Sequence, residues 1–278
     1  MENQYVIEKT LSNNVVLAEK DNKLYVLIGK GIGFGKKKGD TVSNEQNIEQ
    51  VYVHIEESQR EDYNRILKDV DREIVAVCEE VIGFAVKTLG EELNSHIHIG
   101  LTDHINFAIA RLKDGIKIEN PFLFEIKVMY PKEYSIAEVA INLIENRLNI
   151  RLPESEIGFI ALHIHSARVN QSVGESLKYT SIVKEAVDFI QQEIGVTISE
   201  KSFDYTRLIS HLKYSLYRID NEKSLKNVLL LSIKRQLKKE YKIAKKVCDF
   251  ISQKLGKEVP EDEVGYIAVH LNRLKGEV

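Results

Sequence analysis

"PESEIGFIALH" occupies residues 153–163, and "PEDEVGYIAVH" occupies residues 260–270. Pro, Glu, Glu, Gly, Ile, Ala and His coincide in place, and three of the four differences are the exchanges Ile/Val, Phe/Tyr and Leu/Val. The two stretches stand 107 residues apart, and the correspondence extends backward at that offset. "EYSIAEVAINLIENRL" (133–148) lies over "EYKIAKKVCDFISQKL" (240–255), and "LTDHINFAIARL" (101–112) over "LISHLKYSLYRI" (208–219). Leu101 meets Leu208, His104 meets His211, Phe107 meets Tyr214 and Arg111 meets Arg218. Farther upstream, with an indel, "VIGFAVKTLG" (81–90) resembles "AVDFIQQEIG" (186–195). A period this long is wrong for a solenoid and reads as a duplicated domain, over residues 60–172 and 173–278.

Both copies carry helical patterning. "EYSIAEVAINLIENRLNI" spaces its apolar residues three and four apart. "PESEIGFIALHIHSA" opens on Pro and acids, which suit a helix N-terminus. Thr102 or Asp103 is placed to cap the helix that carries His104. Each copy is therefore expected to be an all-α bundle. Residues 1–59 differ in kind. "QYVIEK", "NNVVLAEK", "KLYVLIGK" and "QVYVHI" are short and rich in β-branched and aromatic residues, and "SNNV" and "EKDNKL" between them are turn signals. The expectation is an α+β multidomain chain: a small antiparallel β domain followed by two homologous helical bundles. A β domain this small has a marginal core, so dimerisation or docking is expected of it.

Composition narrows the class. The chain has 278 residues, 43% hydrophobic and 29% charged, with net charge −3, so no global field draws it to nucleic acid or membrane and a local patch must carry any such contact. Cys78 and Cys248 are far apart, which argues against a disulfide scaffold or a zinc-thiolate site. The first residues, "MENQYVIEKT", lack the pattern of a signal peptide, and no run approaches the length of a membrane span, so a cytoplasmic location is expected.

Two sets of residues carry chemistry. "GKGIGFGKKKGD" (29–40) holds five of the 15 glycines. It matches neither GxxxxGK[ST] nor GxGxxG, because the required glycine falls on Phe34. What remains is either a glycine-rich hairpin with a solvated lysine run, or a surface for close approach of a polyanion. In the second reading the lysines would meet phosphates and Phe34 would offer a face to a base. The other set is His104, His163, His211 and His270. Any one of them alone reads most simply as a hydrogen-bonded core histidine. As a set, each pair has an arginine on the face of its first helix, and in the first copy a carboxylate, Asp103, adjoins His104. That arrangement suits a phosphate acceptor: neutral imidazole is nucleophilic near pH 7, a carboxylate fixes its tautomer and arginine neutralises the product. A metal site, and with it a metal-dependent phosphohydrolase of helical repeats, is the rival reading, although no HExxH spacing occurs. His54, His96, His98 and His165 have no counterparts in the other copy and read as ordinary core or surface histidines.

"LIGKGIGFGKK", "LTDHINFAI", "EIGFIALHIHSA", "LISHLKYSLYR" and "YIAVHLNRL" together resemble the transcriptional antiterminators of the sugar phosphotransferase system, over the whole chain. "HIHIGLTDHINFAI" and "NPFLFE" are most similar to the branch that controls glucose-transporter expression. The resemblance implies a regulator and not an enzyme, with no cofactor and no membrane insertion. Its RNA-binding domain acts as a homodimer that clamps an RNA stem-loop overlapping a terminator. Matching the family's motifs position by position implies RNA contacts at Lys9, Asn14, Gly29, Lys30, Gly31 and Phe34. It implies phosphorylation of His104, His163, His211 and His270. The donors would be a sugar-specific permease component and the phosphocarrier protein. Many relatives have arginine where this chain has Lys30, and lysine lacks the planar fork for a bidentate base contact.

Overall fold

The computed structural model describes residues 4–43, 50–55, 57–223 and 225–274. The N-terminal strands are β1 (Gln4–Thr10), β2 (Val15–Lys20), β3 (Lys23–Ile28), β4 (Thr41–Ser43) and β5 (Gln50–Ile55). They form one antiparallel sheet in the order β4-β1-β2-β3-β5. The β2–β3 hairpin turns on Asp21 and Asn22, both at positive φ (52° and 60°), the backbone that a two-residue hairpin loop requires. Alternation along the strands sends Ile7, Val16, Ala18 and Leu27 into a small core closed by Ile32 and Val42. Ile32 comes from the glycine-rich loop, so that loop is anchored through its own apolar residue.

The rest of the described chain is helical: α1 (Arg60–Asp69), α2 (Arg72–Leu89), α3 (Ile97–Lys113), α4 (Leu123–Met129), α5 (Pro131–Leu148), α6 (Ser155–Val169), α7 (Val173–Ile194), α8 (Phe203–Asp220), α9 (Leu230–Gln236), α10 (Lys238–Leu255) and α11 (Glu261–Leu274). The duplication is visible in the boundaries. α4 and α9, and α5 and α10, begin and end at the 107-residue offset. α5 and α10 also stop alike, on left-handed residues at the same offset, Asn149 (φ 54°) and Gly256 (φ 69°).

Thr102 and Asp103 do not cap α3, which already starts at Ile97. Asn94 sets that start, its Oδ1 accepting the His96 N–H at 3.1 Å, and Thr102 is a fully buried residue inside the helix. The apolar residues ahead of Thr102, Ile97 and Leu101, are buried as well, so starting the helix at Thr102 would leave them outside it.

The chain divides into two compact units, Met1–Pro121 with Tyr130–Val173, and Phe122–Met129 with Gly174–Val278. In the first, α5 packs on α2 and α6, and α3 packs on α2 and α6. A buried polar network ties α1, α2 and α3: Glu79 accepts from the Tyr63 hydroxyl at 2.7 Å and sits 2.6 Å from His98 Nδ1. In the second unit α8 and α10 pack on α11. There α9 packs on α10 and α11, whereas its counterpart α4 packs on α8, with Phe124 edge-on to Tyr205 at 5.4 Å.

Candidate functional site

The glycine-rich loop is held by the β1–β2 turn. Asn14 receives it twice, its backbone carbonyl accepting from Gly29 N and its Oδ1 from Gly31 N, both at 3.0 Å. Asn13 O accepts from Gly33 N at 2.9 Å. Gly33 sits so close to that turn that a Cβ would fall 2.2 Å from Ser12 O. Gly31 and Gly35 take positive φ, 70° and 68°, conformations that other residues resist. The outcome is a tight loop with Phe34 lifted into solvent at 75% exposure and Lys30 beside it. An exposed ring on a rigid loop among cations suits base stacking with phosphate contacts. Asn14, Gly29, Lys30, Gly31 and Phe34 are thus brought together. Lys9 is directed elsewhere, its ammonium donating to the Leu67 carbonyl in the last turn of α1 at 2.8 Å.

The four repeated histidines meet as two pairs. His104 on α3 and His163 on α6 have ring centroids 4.9 Å apart, and His211 on α8 and His270 on α11 stack at 3.5 Å. Burial pushes the pKa of His163 down to about 3, with the neighbouring His104 and His96 adding to the effect. Burial also leads for His270, reinforced by His211, Arg273 and Arg207, which brings it to about 4. His211 is lowered by burial and by Arg207, Arg218 and Arg273. These three imidazoles are therefore neutral near pH 7, the form that attacks phosphorus.

Two buried glutamates at matching positions were not singled out from sequence, although both lie in the repeated "PESE/PEDE" phrase. Glu156 and Glu263 are both buried, at 2% and 1% exposure. Glu156 Oε2 is 2.8 Å from His104 Nε2, and Arg111 Nη2 is 3.6 Å from its other oxygen. The carboxylate that orients His104 is thus Glu156 and not Asp103. With Nε2–H donated to it, Nδ1 keeps the lone pair. Glu263 is engaged differently. It takes two hydrogen bonds of 2.6 Å from Arg218 and one of 2.7 Å from the Ser215 hydroxyl. Arg218, expected to face a phosphate, is committed to that carboxylate.

The remaining histidines have local roles. His165 stacks on Tyr130 at 3.9 Å and lies 3.1 Å from Glu133, and His98 belongs to the buried Glu79 network. His54 stands on β5, its side chain outside the described residues. Among the described residues no three or more His, Cys, Asp and Glu side chains are grouped to hold a metal ion, and no helix is long and apolar enough to cross a membrane.

Comparison with known proteins bears on both sites. The model of the CAT RNA binding domain matches residues 5–61, and that of the PRD domain matches residues 79–167 and 184–274. The chain is 34% identical to the transcription antiterminator LicT of Bacillus subtilis, covering 96% of this chain and 98% of that protein. It is 35% identical to the protein GlcT of Staphylococcus saprophyticus, covering 97% and 96%. The beta-glucoside operon antiterminator of Dickeya chrysanthemi is 31% identical, with coverage of 98% and 97%. Among solved structures, the crystal structure of GlcT CAT-PRDI is similar at 42% identity and a TM-score of 0.50, covering 59% of this chain and 98% of that one.

Proposed function

This chain belongs to the transcription antiterminators that join a CAT RNA binding domain to two PRD domains, and from that premise we propose how its sites work. The chain is an RNA-binding antiterminator under control of the sugar phosphotransferase system. Residues 1–59 dimerise and hold a stem-loop of a leader transcript through Asn14, Gly29, Lys30, Gly31 and Phe34, which keeps the terminator from forming. Lys9 joins this contact after leaving α1. The regulated transcript encodes a glucose transporter, and the protein works in the cytoplasm.

Residues 60–172 and 173–278 are the switches. His104, His163, His211 and His270 accept phosphoryl groups from a sugar-specific permease component and from the phosphocarrier protein. The observation that carries this reading is the pairing of the four repeated histidines, His104 with His163 and His211 with His270, in both copies. Each phosphoryl group brings roughly −2 charge and several strong acceptor oxygens, enough to reset the packing around a pair.

Incubation with phosphoenolpyruvate and the phosphotransfer chain, followed by intact mass measurement, tests the switch. Each added phosphoryl group should disappear with one of the four His→Ala substitutions, and phosphate that survives all four sinks the assignment. On the RNA side, Asn14→Ala and Phe34→Ala should each weaken hairpin binding by about 1–3 kcal/mol. Unchanged affinity in both would remove the loop from the contact.

A further inference from the structure

Between Lys234 and Lys246 there are seven cations and one acid, the buried Glu240. Arg235, Lys238, Lys239, Lys242, Lys245 and Lys246 are all exposed. The first five of the six lysines of α10, those from Lys238 to Lys246, fall within an arc of about 120° on a helical wheel and extend about 12 Å along the axis. Lys246 pairs with Glu193 at 2.6 Å; among the described residues the other four lysines and Arg235 enter no ion pair.

Helix formation does not call for this face and is opposed by it. Like charges spaced three and four apart repel, and Lys238 and Lys239 stand in the first turn, where the helix dipole disfavours cations. The first copy supplies an internal control. At the same offset α5 and the residue before α4 ends carry Val128, Pro131, Lys132, Ser135, Glu138 and Val139, one cation against one acid, and α5 has the same length as α10. The fold is thus made equally well without the charge, in a chain whose net charge is −3. A self-repelling face kept at one copy only is complementary to an anionic partner.

We propose that this face of α10 is a second RNA-binding surface, which takes single-stranded transcript by its phosphates. The inference rests on the reading of the chain as an RNA-binding antiterminator. A linear row of lysines without an exposed aromatic suits a phosphate track and no base readout. A symmetric contact with a second copy would set the same cations against one another across the axis. An anionic lipid surface fits less well. An interfacial helix lays its apolar face into the bilayer, and that face of α10, Ala244, Val247, Cys248 and Ile251, is buried in the protein. A transcript already held by its hairpin would reach the face at high effective concentration, so modest affinity suffices.

The test uses the full chain carrying Asn14→Ala, to weaken the loop site, with and without Lys238→Gln, Lys242→Gln and Lys245→Gln. These lysines are exposed, and circular dichroism checks that the helices persist. Fluorescein-labelled oligouridine of about 20 nucleotides is titrated at several salt concentrations. The native face should bind at least about ten-fold more tightly at low salt. Its slope of log K against log salt should be steeper by about 2, three phosphate contacts at about 0.7 each. Equal affinities and slopes overturn the proposal. So does loss of sedimentation with phosphatidylcholine–phosphatidylglycerol vesicles in the triple variant while oligouridine binding is unchanged. The loop reading is scored apart, by native chain against Asn14→Ala on a leader hairpin, so either reading fails without the other.

Discussion

The two histidine pairs are built from matching residues and hold their buried glutamates differently. In the first copy Glu156 reaches His104 Nε2 at 2.8 Å and Arg111 only at 3.6 Å. In the second, Glu263 binds Arg218 twice at 2.6 Å and Ser215 at 2.7 Å, while His211 stacks on His270. One cause is legible at the repeat offset, where Ser215 replaces Ala108. The serine hydroxyl gives Glu263 a third hydrogen bond and turns it toward arginine. Alanine has nothing to donate, and the carboxylate meets histidine. The two pairs thus differ in what surrounds them: His104 has its tautomer set by a carboxylate, whereas the matching carboxylate of the second copy is held by Arg218 and Ser215.

The comparison meets its largest test in truncation of the two glutamates. Glu263→Ala leaves the partly buried Arg218 guanidinium without its counter-charge and Ser215 without its acceptor. Breaking such a pair from one side costs about 3–5 kcal/mol. Glu156→Ala removes one partner from His104 and only a longer, 3.6 Å contact from Arg111, and should cost about 1–3 kcal/mol. Urea unfolding of the two variants measures both. Equal losses would mean that the two carboxylates do the same work after all.

Phosphoryl transfer sharpens the contrast at a smaller scale. If Glu156 fixes the His104 tautomer and stabilises the imidazolium formed as Nδ1 attacks, then Glu156→Gln should slow phosphorylation of His104 about ten-fold, or about 1.4 kcal/mol in the barrier. Glu263→Gln should change the rate at His211 less than about two-fold, since Glu263 does not face that ring. Quench-flow labelling with site-resolved mass spectrometry reads both. A ten-fold fall at His211 as well would transfer the dyad to both copies.

How far the sequence leads can be judged at these same residues. The offset of 107 brought out all four histidines and carried the helix reading from α5 to α10; hydrophobic spacing located α5, and the Pro and acids at its start located α6. The pairing of His104 with His163 follows less directly, since it depends on how α3 and α6 cross. The glutamates were hidden by separation: Glu156 lies 52 residues from His104. Asp103, next in the chain, was the misleading choice, because successive helical residues point about 100° apart. The packing of α4 on α8 was not read from sequence either, although α4 carries Phe124 and Glu125 against Tyr205 where α9 has Leu231 and Ser232. In the β domain, the glycines were legible as a special loop, but the role of Gly33 became clear only with Ser12 against it.

Ser215→Ala restores the residue of the first copy and should cost about 1 kcal/mol, the net worth of one ordinary hydrogen bond, since Arg218 still holds the carboxylate. The more informative readout is spectroscopic. Released from the serine, Glu263 should turn part of the time toward His211 and raise that ring's depressed pKa toward the usual histidine value. Proton–nitrogen correlation spectra across pH 5–8 report it. A titration unchanged from the native chain would place the cause of the difference in Arg218 rather than in the hydroxyl.

The smallest expected difference between the copies is in their response to acid. His163 and His270 titrate in the folded protein at about 3 and about 4, below the ordinary histidine value near 6.5. The unfolded chain therefore binds more protons, so stability contributed by each neutral ring is present above pH 6.5 and lost progressively as pH falls toward the folded value. Between pH 6.5 and 5 both folded pKa values lie well below the working range. Each histidine then takes up close to one proton on unfolding, approaching that limit at pH 5, and the one-unit gap between the copies has almost no weight. His163→Phe and His270→Phe should accordingly flatten the pH dependence of unfolding free energy over this window by nearly equal amounts. Only around pH 4, where His270 takes up its proton in the fold ahead of His163, should the first copy keep losing stability the more steeply. Unequal flattening above pH 5 would show that one of the rings is charged in the folded protein, and the shared picture of a neutral buried ring would hold for one copy alone.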